Sequence, residues 1–317
     1  MKEIMTVTGP VSPEKLGFCQ CHEHIALSKG QSYLVNPALC IDDMEKSLEE
    51  LRRYRSFGGD SVIEAQPCGC NRMAGELVRL SEESGVHIIA STGFHKLLFY
   101  PKDHWIHTMP VQELEELFAG ELEKGMYVDG DRLRPARQCT ARAGIIKTAY
   151  DTEELSPRYQ ELFRGAALAA MRTDRVIMIH VEQGTDPRRL LDYLAGLGVR
   201  PQRLMFCHMD RAVRDLEIHK DILKNGAYLE FDTIGRFKYH SDEHEISIFR
   251  ELTEAGFQDQ LLYSLDTTRE RLKSYQPSAV GLDYILNTFN PLIEAFGISE
   301  DMVRKFSVTN PARMLTQ

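Results

Sequence analysis

The chain carries a His-x-His pair near its start, in the run His22-Glu23-His24. Imidazole nitrogens bind divalent transition metals, and alternate side chains of a strand point to the same side, so His22 and His24 could hold one ion together. A His-x-His pair is common by chance, and alone it is a weak sign of a metal site. Partners elsewhere in the chain are needed before the pair indicates chemistry.

Such partners occur in later apolar segments. His180 lies in the segment VIMIHV, His208 ends LMFCH, Asp266 ends LLYSLD, and Lys147 lies within GIIKTA. Taken singly, a histidine at such a position is more often a structural, hydrogen-bonded residue, and an aspartate there often caps the next helix. Together with the His-x-His pair, however, they form a set of nitrogen and oxygen donors suited to a metal centre.

Lys147 is the unusual member of this set, because an ammonium group in an apolar strand is costly to bury and is repelled by divalent cations. It could extend to the rim of the site or pair with an acid such as Glu182. Alternatively, its amine reacts with carbon dioxide to give a carbamate, an anion with two oxygens that can bridge two metal ions. The residues alone leave both interpretations open.

These candidates lie on a regular alternation of short apolar segments and longer helical patterns. Strands are predicted at 16–24, 61–65, 87–92, 144–149, 176–181, 204–208, 227–232 and 261–266. Helices are predicted between them at 42–57, 111–124, 157–172, 187–197 and 245–255. The pattern predicts a single-domain (β/α)8 TIM barrel over residues 1–317, with functional residues at the carboxyl ends of the strands. The alternative, a doubly wound open sheet, would show a glycine-rich turn where this chain has His-Glu-His.

The composition is that of a globular, acidic protein. Of 317 residues, 43% are hydrophobic, and 38 basic against 47 acidic side chains give a formal charge of −9. Such a chain is a poor partner for nucleic acid or an anionic membrane. It has no 18-residue apolar run, no signal-peptide pattern and only scattered cysteines, so a cytoplasmic protein with reduced thiols is expected.

Over nearly its whole length, the chain resembles the amidohydrolase superfamily and, within it, the phosphotriesterase-like branch. The matching segments are CHEHI at 21–25, TGFH at 92–95, Lys147, HVEQGT at 180–185, HMDR at 208–211, LEFDTIG at 229–235, LDTTR at 265–269 and NPARML at 310–315. The segment 229–315 is especially similar to the bacterial phosphotriesterase homology proteins. Some of these use Glu at the bridging position, whereas Lys147 favours the carboxylated form here.

The resemblance implies a binuclear metal centre. Its ligands would be His22, His24 and Asp266 for a buried ion, His180 and His208 for a more exposed ion, and carboxylated Lys147 with a hydroxide between them. Zinc is the expected metal, with Mn²⁺, Co²⁺ or Fe²⁺ as alternatives. The implied enzyme is a hydrolase in which the bridging hydroxide attacks the substrate and Asp266 carries the proton to the leaving group.

Two basic loops follow the last two predicted strands, at 233–244 and 267–276. Arg, Lys and Tyr bind phosphate or carboxylate groups, so these loops predict a clamp for a small anionic substrate that carries a phosphate. The expected substrate-binding residues are Lys238, Arg269 and Tyr275, then Arg236, Lys273 and, after the third strand, His95. Weaker signs of sugar contacts come from Glu64, Arg72 and the Cys68-Gly-Cys70 loop. Alternatively, these charges are merely solvated and are partly balanced by Asp242, Glu243 and Glu270.

A phosphorylated sugar lactone suits both features, because it offers an ester carbonyl for hydrolysis and a remote phosphate for the clamp. The predicted function is therefore a lactonase for such a compound. Phosphotriesterase or acyl-homoserine lactonase activity is an alternative, although neutral or long-chain substrates prefer an apolar pocket. Hydrolysis of another amide or ester is a second alternative, and a metal sensor without activity is disfavoured by the full ligand set. A homodimer is also expected, because barrels of this type often pair.

Overall fold

The computed structural model describes residues 2–316. Eight parallel strands form a nearly closed barrel in the order in which they occur along the chain, after an antiparallel hairpin of β1 (Ile4–Thr6) and β2 (Gly9–Val11). The barrel strands are β3 (Cys19–Glu23), β4 (Ser61–Glu64), β5 (His87–Gly93), β6 (Ile145–Tyr150), β7 (Ile177–Val181), β8 (Leu204–Cys207), β9 (Tyr228–Phe231) and β10 (Leu261–Tyr263).

Helices connect the strands on the outside of the barrel. They are α1 (Gln31–Val35), α2 (Met44–Ser56), α3 (Ala74–Ser84), α4 (Val111–Glu123), α5 (Pro157–Thr173), α6 (Pro187–Gly196), α7 (Leu216–Lys224), α8 (Asp242–Glu254), α9 (Asn290–Ala295), α10 (Glu300–Arg304) and α11 (Asn310–Thr316). Several begin at a side-chain cap. Asp43, Asp186 and Asp215 accept a backbone N–H from the first turn of α2, α6 and α7, respectively.

The last strand returns to the first, where the backbone N–H of Asp266 donates to the carbonyl of His22 at 3.0 Å. This closure confirms the predicted (β/α)8 barrel and excludes the open doubly wound sheet. Every predicted strand and helix has a counterpart, and the structure adds helices that the helical patterns did not identify, namely α1, α3, α7, α9, α10 and α11. Within residues 2–316, no helix is both long and apolar enough to cross a membrane.

Apolar side chains fill the barrel beneath the carboxyl ends of the strands. The interior cluster includes Cys21, Met178, Met205 and Leu262, all with no exposed surface, and it extends to Met314 near the end of the chain. A second, larger cluster lies between the strands and the helices. Because both faces of each strand are covered, the strands form a rigid support for the side chains at their ends.

Five strands end earlier than predicted, namely β3, β4, β8, β9 and β10. The regular ladder stops at Cys207 in β8 and at Tyr263 in β10, whereas the apolar patterns continue to His208 and Asp266. His208 has φ 62° and Asp266 has φ 48°. Left-handed backbone cannot continue a strand, and for a residue with a Cβ it costs about 1–3 kcal/mol. These two residues therefore lie in strained turns just beyond the ends of their strands.

Candidate metal centre

The barrel brings the residues predicted to bind metal to one end. We call them the strand-end cluster, which comprises His22, His24, Lys147, His180, His208 and Asp266, and each of them is at most 9% exposed. Their positions follow from the parallel sheet, because the carboxyl ends of all eight strands meet at the same rim. Residues far apart in the sequence are thereby neighbours around a small volume.

On one side of this volume, His22, His24 and Asp266 approach one another. The Nε2 atoms of His22 and His24 lie 3.7 and 3.6 Å from the same oxygen, Oδ1 of Asp266. Two ligands at about 2.1 Å from one ion are about 3.0–3.4 Å apart, so these separations are close to those of a shared metal ion. The three residues also form a group whose ligand atoms all lie within 4.8 Å of one another.

On the other side, His208 Nε2 lies 2.7 Å from His180 Nδ1. These two ring nitrogens face each other, and a small increase in the distance between them would let both bind one metal ion. The ring of His95 adjoins that of His180, with centroids 5.4 Å apart. His95 is therefore placed at the rim of the cluster, although its substrate-binding role stays a prediction.

Lys147 is fully buried within β6, and its Nζ lies 3.1 Å from His22 Nε2. Within residues 2–316, no carboxylate lies within 4.0 Å of this Nζ. The suggested pairing with Glu182 does not occur, because Glu182 accepts instead from Lys96 at 2.6 Å. The side chain of Lys147 therefore points to the histidines of the strand-end cluster and not to an acid.

The backbone of β5 lies so close to Lys147 that position 93 must be glycine. A Cβ on Gly93 would lie 2.0 Å from the carbonyl oxygen of Lys147, and Gly93 has φ 102°. Glycine is required at this point because any side chain would collide with the strand. The Gly in the TGFH segment is thereby explained by the packing of β5 against β6.

Asp232 was not singled out from the sequence, although it stands just past the end of β9 like the other site residues. Its Oδ2 lies 2.9 Å from His22 Nδ1 and its Oδ1 lies 2.6 Å from His208 Nδ1. It also accepts the backbone N–H of His208 at 2.9 Å. One buried carboxylate thus orients two histidines and leaves the Nε2 of each directed to the metal volume, as outer carboxylates do in metal sites.

Glu23, the middle residue of the His-x-His run, has a different task. Its carboxylate accepts the backbone N–H groups of Leu265 at 2.9 Å and Thr267 at 3.1 Å. Burial raises the pKa of Glu23 to about 8. Because these N–H groups flank Asp266, Glu23 holds the strained turn that carries this residue.

Burial also sets the protonation of the ligands. It lowers the pKa of His22 and His208 well below the ordinary value and that of His180 to about 4, so their imidazoles are neutral and can bind metal. Burial alone would raise the pKa of Asp266. The Arg236 guanidinium, 3.2 Å from its Oδ2, acts together with His24, Arg211 and Lys147 to hold that pKa below its ordinary value.

The predicted substrate residues of the first basic loop lie near this rim. Arg236 contacts Asp266 directly, through both the carboxylate and the backbone carbonyl. Lys238 is exposed, with its Nζ 4.8 Å from the centre of the Tyr239 ring. A cavity of about 630 Å³ is lined by Lys238 together with Arg211 and Arg214, two basic residues that were not singled out from the sequence.

The second basic loop is bound more tightly to the barrel. Arg269 stacks on the ring of Tyr275 at 4.8 Å, and the Tyr275 hydroxyl donates to the carbonyl of Asp43 at 3.1 Å. Lys273 pairs with the buried carboxylate of Asp283 at 3.1 Å. The structure therefore does not bring these three residues into the cavity that Lys238 lines, and their substrate-binding roles stay predictions.

Of the residues with weaker signs of sugar contacts, Arg72 forms a buried ion pair with Glu121 at 2.6 Å. Glu64 accepts the backbone N–H of Ile25 at 2.6 Å. Cys68 and Cys70 are fully buried or nearly so. The Oε1 atom of Glu64 also lies 3.5 Å from Nδ1 of His24, so Glu64 contacts the strand-end cluster, whereas the ion pair of Arg72 lies within the barrel wall.

Known proteins share this architecture. The profile of the phosphotriesterase family matches residues 2–315. A phospho-furanose lactonase of Mycoplasmopsis synoviae is 26% identical over 98% of this chain and 90% of its own. An N-acetyltaurine hydrolase of Xenopus tropicalis is 26% identical over 99% of this chain and 98% of its own. The crystal structure of the phosphotriesterase homology protein from Escherichia coli, complexed with phosphate in its active site, is 28% identical, covers 95% of this chain and 99% of that chain, and gives a TM-score of 0.85.

The family match covers all eight barrel strands and every member of the strand-end cluster. The resemblance recognised from the sequence is therefore confirmed, as is the expectation of an enzyme. The chain belongs to the phosphotriesterase family, a family of metal-dependent hydrolases.

Proposed function

We propose that the protein is a lactonase that opens a small phosphorylated sugar lactone with the help of two divalent cations, zinc being the best match to the donor set. The observation that carries the proposal is the strand-end cluster itself. It combines neutral imidazoles with a carboxylate, and Arg211, three residues after His208, lines a cavity together with Arg214 and Lys238 in an acidic chain. The cluster supports hydrolysis, and the cavity supports an anionic substrate.

The buried environment of Lys147 supports its conversion to a carbamate. A buried ammonium without a carboxylate partner is costly, and nearby cations would make it costlier. The neutral amine would attack carbon dioxide, forming an N–C bond and releasing one proton. The product is an anion between the two halves of the cluster, with His22, His24 and Asp266 on one side and His180 and His208 on the other.

When bound, the two ions would acidify a water molecule and polarise the carbonyl of the lactone. The chain supplies the remaining tasks. Asp266 accepts a proton and returns it to the leaving alkoxide, because it lies beside both halves of the cluster. Arg236 holds the Asp266 carboxylate in its ionised form, and Asp232 fixes the two histidines that it contacts.

The basic side chains favour a substrate with a phosphate group. Arg211, Arg214 and Lys238 line one cavity, and Arg211 follows the ligand His208 by three residues. Phosphate binds such groups through charge-assisted hydrogen bonds, whereas a neutral triester or a long acyl chain gains nothing from them. The phospho-furanose lactonase named among the relatives supports the same substrate class.

Amide hydrolysis is the second candidate, and it is favoured by the N-acetyltaurine hydrolase, which matches this chain over a similar length. N-Acetyltaurine carries a sulfonate, which the same basic residues could bind. An ester and an amide differ in their leaving group, so the two candidates are separable by direct assay.

The decisive experiment compares kcat/KM for matched substrates with the zinc-loaded enzyme. The set comprises a five-carbon aldonolactone phosphate, the same lactone without phosphate, N-acetyltaurine, an acyl-homoserine lactone and a paraoxon-type triester. We expect the phosphorylated lactone to exceed its unphosphorylated partner by about 10- to 100-fold, the equivalent of one or two charge-assisted hydrogen bonds. Higher activity on the triester, the acyl-homoserine lactone or N-acetyltaurine would overturn the proposed substrate.

A further inference from the structure

A second group of ligand-type side chains lies outside the strand-end cluster. Asp210 comes from the loop after β8, His240 from the loop after β9 and Glu245 from the first turn of α8. One ligand atom from each lies within 4.8 Å of the other two. None of the three belongs to the strand-end cluster, although Asp210 and His240 line the same cavity as Lys238.

The distances within this group are close to those of ligands around one ion. His240 Nε2 lies 3.2 Å from Glu245 Oε2 and 3.8 Å from Asp210 Oδ2. Ligands at about 2.1 Å from a zinc ion are separated by about 3.0–3.4 Å, and the strand-end pairs show similar values. The Thr233 hydroxyl, 3.0 Å from the same nitrogen, adds a further oxygen.

Unsatisfied carboxylate oxygens give an independent sign of a ligand. Glu245 has no exposed surface, and neither of its carboxylate oxygens has a hydrogen-bond partner. Oδ1 of Asp210 is likewise buried without a partner. Buried carboxylates are normally paired or bound to a metal, because an unsatisfied charge in a protein interior is costly.

An ion pair with protonated His240 is the competing explanation. It leaves the charges unbalanced when both carboxyl groups are ionised, since one imidazolium would then face the carboxylates of Asp210 and Glu245. Within residues 2–316, neither carboxylate forms an ion pair with a Lys or Arg. The carboxylate of the nearby Asp242 already accepts hydrogen bonds from the Gly235 N–H and the Tyr284 hydroxyl. As an acid, it cannot balance the charges of Asp210 and Glu245.

The group is accessible to an ion from solvent. Asp210 and His240 both line the cavity of about 630 Å³, and His244 lines it as well. The ring centre of His244 is 6.0 Å from that of His240, so it could approach as an additional ligand. Water entering through the cavity would complete the coordination.

We infer that Asp210, His240 and Glu245 form a further cation site that takes a divalent transition ion such as Zn²⁺ or Mn²⁺. The donor set of two carboxylates and one imidazole suits these ions. The ion joins the loop after β8, the loop after β9 and α8. It thereby anchors the segment 233–241, which carries Arg236 and Lys238, independently of the catalytic centre.

The test is a comparison of metal content between variants. Wild type, Glu245→Gln, His240→Asn and the matched control Glu243→Gln are loaded with ZnCl2, freed of unbound ions by gel filtration and analysed for zinc per chain by mass spectrometry. Glu243 is an exposed carboxylate on the same helical turn. We expect Glu245→Gln and His240→Asn to hold one equivalent less than wild type, and Glu243→Gln to hold the same amount.

Equal zinc content in all four proteins would overturn the inference and show an ion-paired cluster only. The readout is a difference between variants, so it does not depend on how many ions the strand-end cluster binds or on the substrate of the enzyme. Circular dichroism checks that each variant is folded. If Glu245→Gln does not fold, His240→Asn with Glu243→Gln still decides the outcome.

Discussion

The strand-end cluster and the two basic loops lie at the same rim but are built differently. Members of the cluster are at most 9% exposed and are held by strands or by buried carboxylates such as Asp232. In the loops, Lys238 is exposed, and the side chain of Arg269 retains 43% of its exposure. The scaffold therefore holds the proposed metal ligands firmly, whereas the positions of the groups proposed to bind the substrate depend on loop conformation.

The largest effect should come from the cluster itself. Replacing His208 with Asn removes one ligand, and we expect zinc content to fall and kcat/KM for the lactone phosphate to drop by about a thousandfold, corresponding to several kcal/mol of metal assistance. His87→Asn is the matched control, because His87 lies at the opposite end of the barrel, at the start of β5. A His208→Asn enzyme with the zinc content and turnover of the wild type would contradict the conclusion that the strand-end cluster carries the reaction chemistry.

An intermediate effect is expected from the carboxylate behind the cluster. Asp232→Asn weakens the orientation of His22 and His208 without removing a ligand, so zinc affinity should fall by about 10- to 100-fold. Titration of the apoenzyme with zinc measures this change, and excess zinc should restore most of the turnover. Unchanged affinity would mean that Asp232 does not support the metal centre.

The smallest effect should come from the loops and should depend on the substrate. Lys238→Ala should raise KM for the phosphorylated lactone by about 10-fold and leave the unphosphorylated lactone nearly unchanged, because one charge-assisted contact is lost. Lys273→Ala should change KM less, since its ammonium group already pairs with Asp283. Equal losses on both lactones, or a larger loss in Lys273→Ala, would contradict the assignment of the clamp.

The difference between the strand-end cluster and the basic loops also explains which parts of the site could be predicted from the sequence. The barrel and the strand-end cluster were predictable, because each residue follows an apolar segment and parallel strands deliver their ends to one rim. Asp232 shared this signal, but a sequence cannot distinguish a ligand from a carboxylate that orients two ligands. Glu23 was hidden within the most conspicuous motif, since its bonds to the N–H groups beside Asp266 exist only after the barrel has closed.

The loops gave the least reliable prediction of position. Basic residues were evident after the last two strands, but charge alone does not state whether a side chain faces the substrate or a buried acid. Lys273 pairs with the buried acid Asp283, which follows it by ten residues. Arg211 and Arg214 line the cavity from the loop after β8. They were not predicted from the sequence, because their closeness to Lys238 depends on the packing of β8 against β9.

The most direct test of the central claim is the zinc content and lactone phosphate turnover of two variants at one position. In Lys147→Glu a carboxylate replaces the proposed carbamate, whereas Lys147→Met fills a similar space without charge. We expect Lys147→Glu to retain the zinc content of the wild type and measurable turnover, and Lys147→Met to lose zinc and nearly all activity. Full zinc content and wild-type turnover in Lys147→Met would contradict a two-metal centre built on Lys147.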